Sequence, residues 1–193
     1  PAIDVHRNGK SKILIEMATG VGKTYTVAHL LKRLITTSEE RKRVLFIAHQ
    51  VEILFQSVTA FKNVLGIGNY SFSACFSGSY PEDTDFVFAT FDTLYGYINQ
   101  LKKHNFDYIV VDEAHHTPAR TYAEVVNVFE PKLLIGLTAT PFRSDNKNVV
   151  DFFGGVDGHI GKFDLIWALK HKKLAFPKYL VLLDDLNQNK INE

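Results

Sequence analysis

The chain has one cysteine, Cys75, among 193 residues. No intrachain disulfide can form and no cysteine cage can hold a metal, which points to a reducing compartment, the cytoplasm. Long hydrophobic runs are also lacking: the apolar stretches are strand-sized. Neither a membrane-crossing helix nor a secretory leader is expected. Charge of one sign is lacking too, since 22 basic and 21 acidic residues leave a net charge of +1. No global field draws the chain to nucleic acid, so such a contact has to come from local groups. There are no internal repeats and no low-complexity stretch. Pro1 stands where a methionine would open a chain, so a piece of a longer protein is expected.

What remains is the composition of an ordinary globular domain, 46% hydrophobic and 22% charged, with chain enough for one full core. Apolar, β-branched runs alternate with segments of helical spacing, the pattern of a parallel sheet with crossover helices. Strands are expected at residues 12–16 (KILIE), 44–48 (VLFIA), 70–76, 86–89, 108–111 (YIVV), 133–137 (LLIGL) and 178–183 (KYLVLL). The near-continuous apolar runs predict strands covered on both faces. Helices are expected at 22–34, where Val27, Leu30, Leu31 and Leu34 share one face, and at 51–64, 92–103, 145–153 and 163–171. The polar close, DDLNQNKINE, is expected to fray.

The stretch MATGVGKT, Met17 to Thr24, ends as a phosphate-binding loop does, but Met17 stands where the usual pattern has its first glycine. Such a loop needs successive backbone N–H groups turned inward, and Gly20 and Gly22 permit that. Lys23 offers a point charge to the β- and γ-phosphates. The Thr24 hydroxyl is placed to ligate Mg²⁺, and the following helix adds its N-terminal dipole. Thr19, Gly20, Val21, Gly22, Lys23, Thr24 and Tyr25 are the candidate nucleotide cradle. A chance match is the competing explanation, against which the strand before and the helix after both argue.

A phosphate loop needs an acidic partner at a neighbouring strand tip, and VVDEAHH supplies one. Asp112 can hold the water shell of Mg²⁺, and Glu113 can polarise the attacking water as general base. A solvated acidic turn is the bland alternative. A zinc site using His115 and His116 is not expected, because adjacent side chains point apart and no H-E-x-x-H spacing exists. The third block is GLTATPFR, Gly136 to Arg143, whose Thr138 and Thr140 hydroxyls can bond neighbouring loops. Alone it would be a strand end stopped by Pro141.

In this order, MATGVGKT, VVDEAHH and GLTATPFR resemble motifs I, II and III of superfamily 2 helicases and translocases of the DEAD/DEAH type. VLFIAH with Glu52, Leu54 and Gln56 resembles motif Ia, and FATFDTL, Phe88 to Leu94, resembles motif Ib. The likeness runs over residues 12–145. It is strongest to the branch holding the type III restriction enzyme helicase subunit and its SSL2-like relatives, whose motif I dispenses with the first glycine. The resemblance implies a RecA-like P-loop NTPase domain at 1–145, with a parallel central sheet and helices on both faces. It implies that 146–193 leads towards a second RecA-like domain that lies outside this chain. Implied ligands are ATP and Mg²⁺. Lys23, Asp112 and Glu113 would be catalytic, with His115, Thr138 and Thr140 coupling hydrolysis to nucleic acid.

The same resemblance implies nucleic-acid contacts from Ala48, His49, Gln50 and Gln56 in motif Ia and from Thr90, Phe91 and Thr93 in motif Ib, DNA rather than RNA. His49 and Gln56 could equally cap or pack the helix. The cluster Arg41-Lys42-Arg43 and the run Lys170 to Lys173 are expected as solvated loops, and the aromatics as core rather than base platforms. No adenine-reading glutamine is evident before motif I, and no counterpart of the family's arginine finger is found. The expected function is an ATP-dependent motor on double-stranded DNA in restriction, defence or repair, with restriction or methylation subunits as partners. RNA remodelling, a non-motor P-loop NTPase and a non-hydrolysing module are the alternatives; intact Lys23, Thr24, Asp112 and Glu113 argue against the last.

Overall fold

The computed structural model describes residues 2–7, 9–76, 82–116, 119–140 and 149–176. Among them, seven strands form one sheet: β1 (Lys12–Met17), β2 (Val44–Ala48), β3 (Phe72–Cys75), β4 (Phe86–Thr90), β5 (Tyr108–Val111), β6 (Leu133–Thr138) and β7 (His159–Phe163). Their order is β3-β4-β2-β5-β6-β1-β7, and every neighbouring pair is parallel. The strands are linked by α2 (Lys23–Thr36), α3 (Val51–Leu65), α4 (Phe91–Gly96), α5 (Ile98–Leu101), α6 (Ala119–Phe129), α7 (Val149–Phe152) and α8 (Gly155–Gly158). A short α1 (Ala2–Arg7) precedes β1, and α9 (Leu165–Lys170) follows β7.

Strand alternation sorts the core into two layers. Ile13, Ile15, Val44, Phe46, Phe88, Val110 and Ile135 face α2 and α3, meeting Val27, Leu31, Leu54 and Phe61. Leu14, Leu45, Ile47, Ile109, Val111 and Leu134 face the other way, onto Leu94, Leu101, Val125, Phe129 and Phe153. With both faces covered, residues of either parity must be apolar, which is why the central strands read as unbroken hydrophobic runs. Phe61 sits edge-on to Phe46 at 5.6 Å and to Phe88 at 5.2 Å, pinning α3 to β2 and β4. On α2, Val27, Leu31 and Leu34 are buried as expected, while Leu30 is half-buried.

Several elements differ from expectation. The helix expected over 92–103 is broken into α4 and α5 at Tyr97 (φ −115°), directly after Gly96, a weak helix former. The segment ahead of α9 is a strand: β7 occupies 159–163, where a helix had been expected from 163, and Asp164 Oδ1 caps α9 by accepting from Trp167 N–H at 2.8 Å. As an edge strand, only partly buried and holding Gly161 at φ +76°, β7 carries no apolar run to mark it. The expected strand at 178–183, the start of the 145–153 helix and the motif III continuation Pro141 to Arg143 lie outside the described residues.

The Arg41-Lys42-Arg43 cluster is a loop, as expected, but of its three side chains only Arg41 is exposed. It lies at the edge where β2, β4, β5 and β6 begin, and Lys42 is buried. Lys42 Nζ is 2.6 Å from Glu40 and 3.6 Å from Asp107, Lys132 Nζ is 2.8 Å from Asp107, and Arg43 is 2.8 Å from Asp83. Arg43 N–H donates to Asp107 at 3.0 Å, and Arg41 pairs with Asp85. Lys170, Lys172 and Lys173 are exposed, as expected.

Candidate active site

In a parallel sheet every strand ends at the same edge, and ligands collect there. β1, β6 and β5 are consecutive neighbours, with Glu16 opposite Thr138 and Val111 opposite Gly136. The three motif loops therefore leave adjacent strand tips.

Met17 is the last residue of β1. It is buried in the layer facing α2, in register with Phe163 of β7. An extended strand residue with a core side chain has no need of glycine. The left-handed turns come later, at Gly20 (φ +83°) and Gly22 (φ +90°). A Cβ built at Gly22 would meet no atom within 4 Å, so the demand there is backbone conformation beside open space. Gly22 caps α2, whose first N–H groups have no intrahelical acceptor, and among the described residues no side chain caps them. Open room, left-handed glycines and unengaged N–H groups fit an anionic phosphate.

Lys23 opens α2 and is buried, with Nζ 3.2 Å from Glu113 Oε1. Thr24 is half-buried beside it, Val21 packs against the α2 layer, and Thr19 is exposed. Tyr25 stands apart: it is 47% exposed, and its phenol oxygen accepts from Asn63 of α3 at 3.5 Å.

Asp112 follows β5 and is 5% exposed. Its N–H donates to Ile47 O at 2.9 Å, tying the β5 tip to β2. Burial raises its pKa, and the neighbouring Glu113 charge adds to that; a bond from Glu113 N–H and the Lys23 charge act the other way. Glu113 has a left-handed backbone, φ +47°, a conformation of some energetic cost for a non-glycine residue. That turn brings its carboxylate onto the loop: one oxygen contacts Lys23, and the other lies 3.3 Å from His115 Nδ1.

His115 Nδ1 also lies 3.0 Å from Thr138 Oγ1. The Thr138 hydroxyl donates to Thr140 O at 2.8 Å and accepts from Thr140 N–H at 3.1 Å. Its proton is thus committed, so the network assigns a proton to His115 Nδ1, shared between Thr138 Oγ1 and Glu113. The result is one chain of contacts, Lys23–Glu113–His115–Thr138–Thr140, across all three motifs.

Two further residues escaped the sequence reading. Glu16 Oε2 and His159 Nε2 are 2.9 Å apart, though not aligned as a hydrogen bond. Glu16 is 4% exposed and lies one residue ahead of the loop motif. The visible signal was a carboxylate inside an apolar strand; its partner, 143 residues away, gave none.

The motif Ia and Ib residues gather at the adjoining tips of β2 and β4, where Ala48 pairs with Thr90. Ala48, expected as a contact, is wholly buried, backbone included, so it presents no surface to a ligand there. His49 is exposed, with its ring stacked on Phe91 at 4.9 Å. Thr90 Oγ1 donates to Thr93 Oγ1 at 2.9 Å. His49, Thr90 and Thr93 line an open groove of about 630 Å³, together with Asp92 and Tyr97, which the sequence reading had not chosen. Gln50 is exposed at the start of α3. Gln56 is exposed farther along that helix and does not line the groove.

The fold is shared with known nucleic-acid enzymes. A nuclease-deletion form of the type ISP restriction-modification enzyme LlaGI, solved with a DNA substrate mimic, superposes with a TM-score of 0.66 at 18% identity, over 89% of this chain and 20% of that one. The UvsW helicase of bacteriophage T4 gives 0.62 at 16% identity, over 83% and 58%. These likenesses establish the fold, a RecA-like α/β domain. The endonuclease subunit of the type I restriction enzyme EcoAI from Escherichia coli is 30% identical over 170 residues, 79% of this chain. The chain spans only about a fifth of that relative, 19%. Residues 2–143 match the family described as type III restriction enzyme, res subunit, and the chain belongs to that family.

Proposed function

We propose that this chain is the first motor domain of an ATP-driven translocase acting on double-stranded DNA in restriction or defence. The observation that carries the proposal is the continuous contact chain from Lys23 through Glu113 and His115 to Thr138. The nucleotide lies on Thr19 to Thr24, with the loop N–H groups and Lys23 on its phosphates and Tyr25 at the margin. The Thr24 hydroxyl and, through water, Asp112 would hold Mg²⁺, which would supply neutralisation of phosphate charge. The raised Asp112 pKa supports such a role, because a buried carboxylate beside another carboxylate gains from a nearby cation.

In the free chain Lys23 and Glu113 hold each other. Phosphate takes Lys23, and Glu113 is released to accept a proton from water as general base. His115, its Nδ1 proton shared between Glu113 and Thr138, reports that exchange to the β6 tip. Duplex DNA follows the groove at the β2 and β4 tips, held by His49, Gln50, Thr90, Phe91 and Thr93. Phosphate contacts position without reading sequence, consistent with a chain of net charge +1. A second RecA-like domain supplies an arginine to the γ-phosphate, and restriction or methylation subunits complete the enzyme. An arginine of this kind is worth roughly 10³–10⁵ in rate, so this domain alone should turn over slowly.

The test is ATP turnover by the full-length parent with duplex DNA, single-stranded DNA or RNA added separately. Strong stimulation by duplex DNA is expected. Stimulation by RNA instead would move the assignment to RNA remodelling. No stimulation by any of the three would rule out a motor.

A further inference from the structure

Lys23, Asp112 and Glu113 gather the γ-phosphate end of a nucleotide on the β5–β6 side of β1. The sheet order puts β7 on the opposite side of β1, so the nucleoside end extends towards β7 and α9. An aromatic ladder stands there. Phe163 closes β7, and its carbonyl accepts from Ala18 N–H at 2.8 Å, at the root of the phosphate loop. Trp167 meets Phe163 edge-on at 4.7 Å and stacks on His171 at 4.4 Å with a 24° tilt. His171 Nδ1 donates to Trp167 O at 2.9 Å, so that ring is oriented although it is exposed.

The ladder is joined to the loop. Lys173 N–H donates to Ala168 O at 2.8 Å, which turns the chain back after α9. That turn places Leu174 Cδ2 3.2 Å from where a Cβ on Gly20 would stand. A helix that served only to seal the sheet edge would bury its apolar side chains first. Here Leu165 and Ile166 are 57% and 63% exposed, while Trp167 leans on Phe163 and His171.

We propose that Phe163, Trp167 and His171 form the platform on which the purine base of the bound nucleotide stacks. The proposal rests on the nucleotide reading above and adds the base site to it. Stacking tolerates any base with a π-face, so ATP and GTP should bind with similar affinity. This accords with the lack of an evident adenine-reading glutamine before motif I.

Trp167 is the only tryptophan of the chain, so its fluorescence reports on this platform alone. The chain is titrated with Mg-ATP, Mg-GTP and inorganic tripolyphosphate, with affinities by calorimetry. Both nucleotides should quench Trp167, while tripolyphosphate should compete with ATP without quenching. Trp167→Ala and His171→Ala should weaken ATP about 5- to 100-fold and leave tripolyphosphate affinity unchanged. His171 is exposed, so its variant keeps the test usable if Trp167→Ala fails to fold. Tyr25→Ala removes the rival aromatic, at the margin of the cradle, and should weaken ATP less than Trp167→Ala or His171→Ala does. Unchanged ATP affinity in His171→Ala together with no quenching in the parent chain would overturn the platform and leave the phosphate loop standing, as would a loss confined to Tyr25→Ala. No binding of ATP or tripolyphosphate by the parent chain would overturn the nucleotide reading and the platform with it.

Discussion

The two edges of the sheet use the same kinds of side chain in opposite ways. Where β2, β4, β5 and β6 begin, Asp85 and Asp107 are surrounded by donors. Burial pushes both pKa values up, but the bonds outweigh it and both end low: Ser71 and Arg41 act on Asp85, Lys132 and the Arg43 N–H on Asp107. Where β1, β5 and β6 end, Asp112 is more deeply buried, has the Glu113 charge beside it, and ends high. Among the described residues, one edge pairs its charges; the other holds a carboxylate short of positive partners next to a left-handed Glu113 and open loop glycines. Structural ion pairs lower carboxylate pKa values and stabilise, whereas the proposed cation and phosphate site keeps that of Asp112 raised.

The largest effect that could break this comparison is at Glu113. Glu113→Gln should reduce ATP turnover about 10²- to 10⁴-fold, the worth of a general base, with nucleotide affinity and unfolding midpoint little changed. A variant that lost stability instead of turnover would make Glu113 a structural partner of Lys23. At the other edge the pattern should invert. Asp107→Ala strands Lys132 and the Arg43 N–H, which should cost about 1–3 kcal/mol. Denaturant unfolding measures that loss, and turnover per folded molecule should stay as in the parent.

The contrast between the edges also marks what was legible in the sequence. The loop, the acidic strand tip and the Thr138 turn were legible because each is local: a strand, then a few residues of defined conformation. The central strands were legible because burial on both faces demands apolar residues at every position. The bottom edge was misjudged because its pairs are distant in sequence, Arg41 with Asp85 and Arg43 N–H with Asp107, and nothing local distinguishes a paired lysine from a solvated one. Glu16 and His159 escaped for the same reason. β7 escaped because an edge strand holding Gly161 shows neither alternation nor an apolar run. α6 was not expected either, although Val125 and Phe129 stand one helical turn apart on its buried side.

Asp112→Asn sharpens the comparison with a change of sign. A carboxyl whose folded pKa is raised binds its proton more tightly when folded. Its stabilising contribution is complete below the unfolded value, about 3.9, and is lost as pH rises through the folded pKa. At neutral pH Asp112 is therefore a burden, and Asp112→Asn should raise stability by roughly 0.5–2 kcal/mol, as replacements at functional sites often do. The gain should shrink as pH falls. Asp85 and Asp107 behave oppositely: their stabilisation is present above about 3.9 and fades as pH drops through their lowered folded values. Unfolding midpoints of the parent, Asp112→Asn and Asp107→Ala between pH 7 and pH 3 measure both trends. A gain for Asp112→Asn that persisted into acid would mean that ionisation is not what makes this position unfavourable.

The smallest effect tests whether the donors around the lower edge are worth the same. Arg41 is exposed along most of its side chain, and Asp85 keeps both Ser71 bonds, at 2.8 Å from N–H and 2.7 Å from the hydroxyl, when the guanidinium is removed. Arg41→Ala should therefore cost less than about 1 kcal/mol, and 1 M salt should erase most of that. A loss as large as that of Asp107→Ala would show that the lower edge acts as one cooperative network, in which even a solvated arginine holds the strands in register.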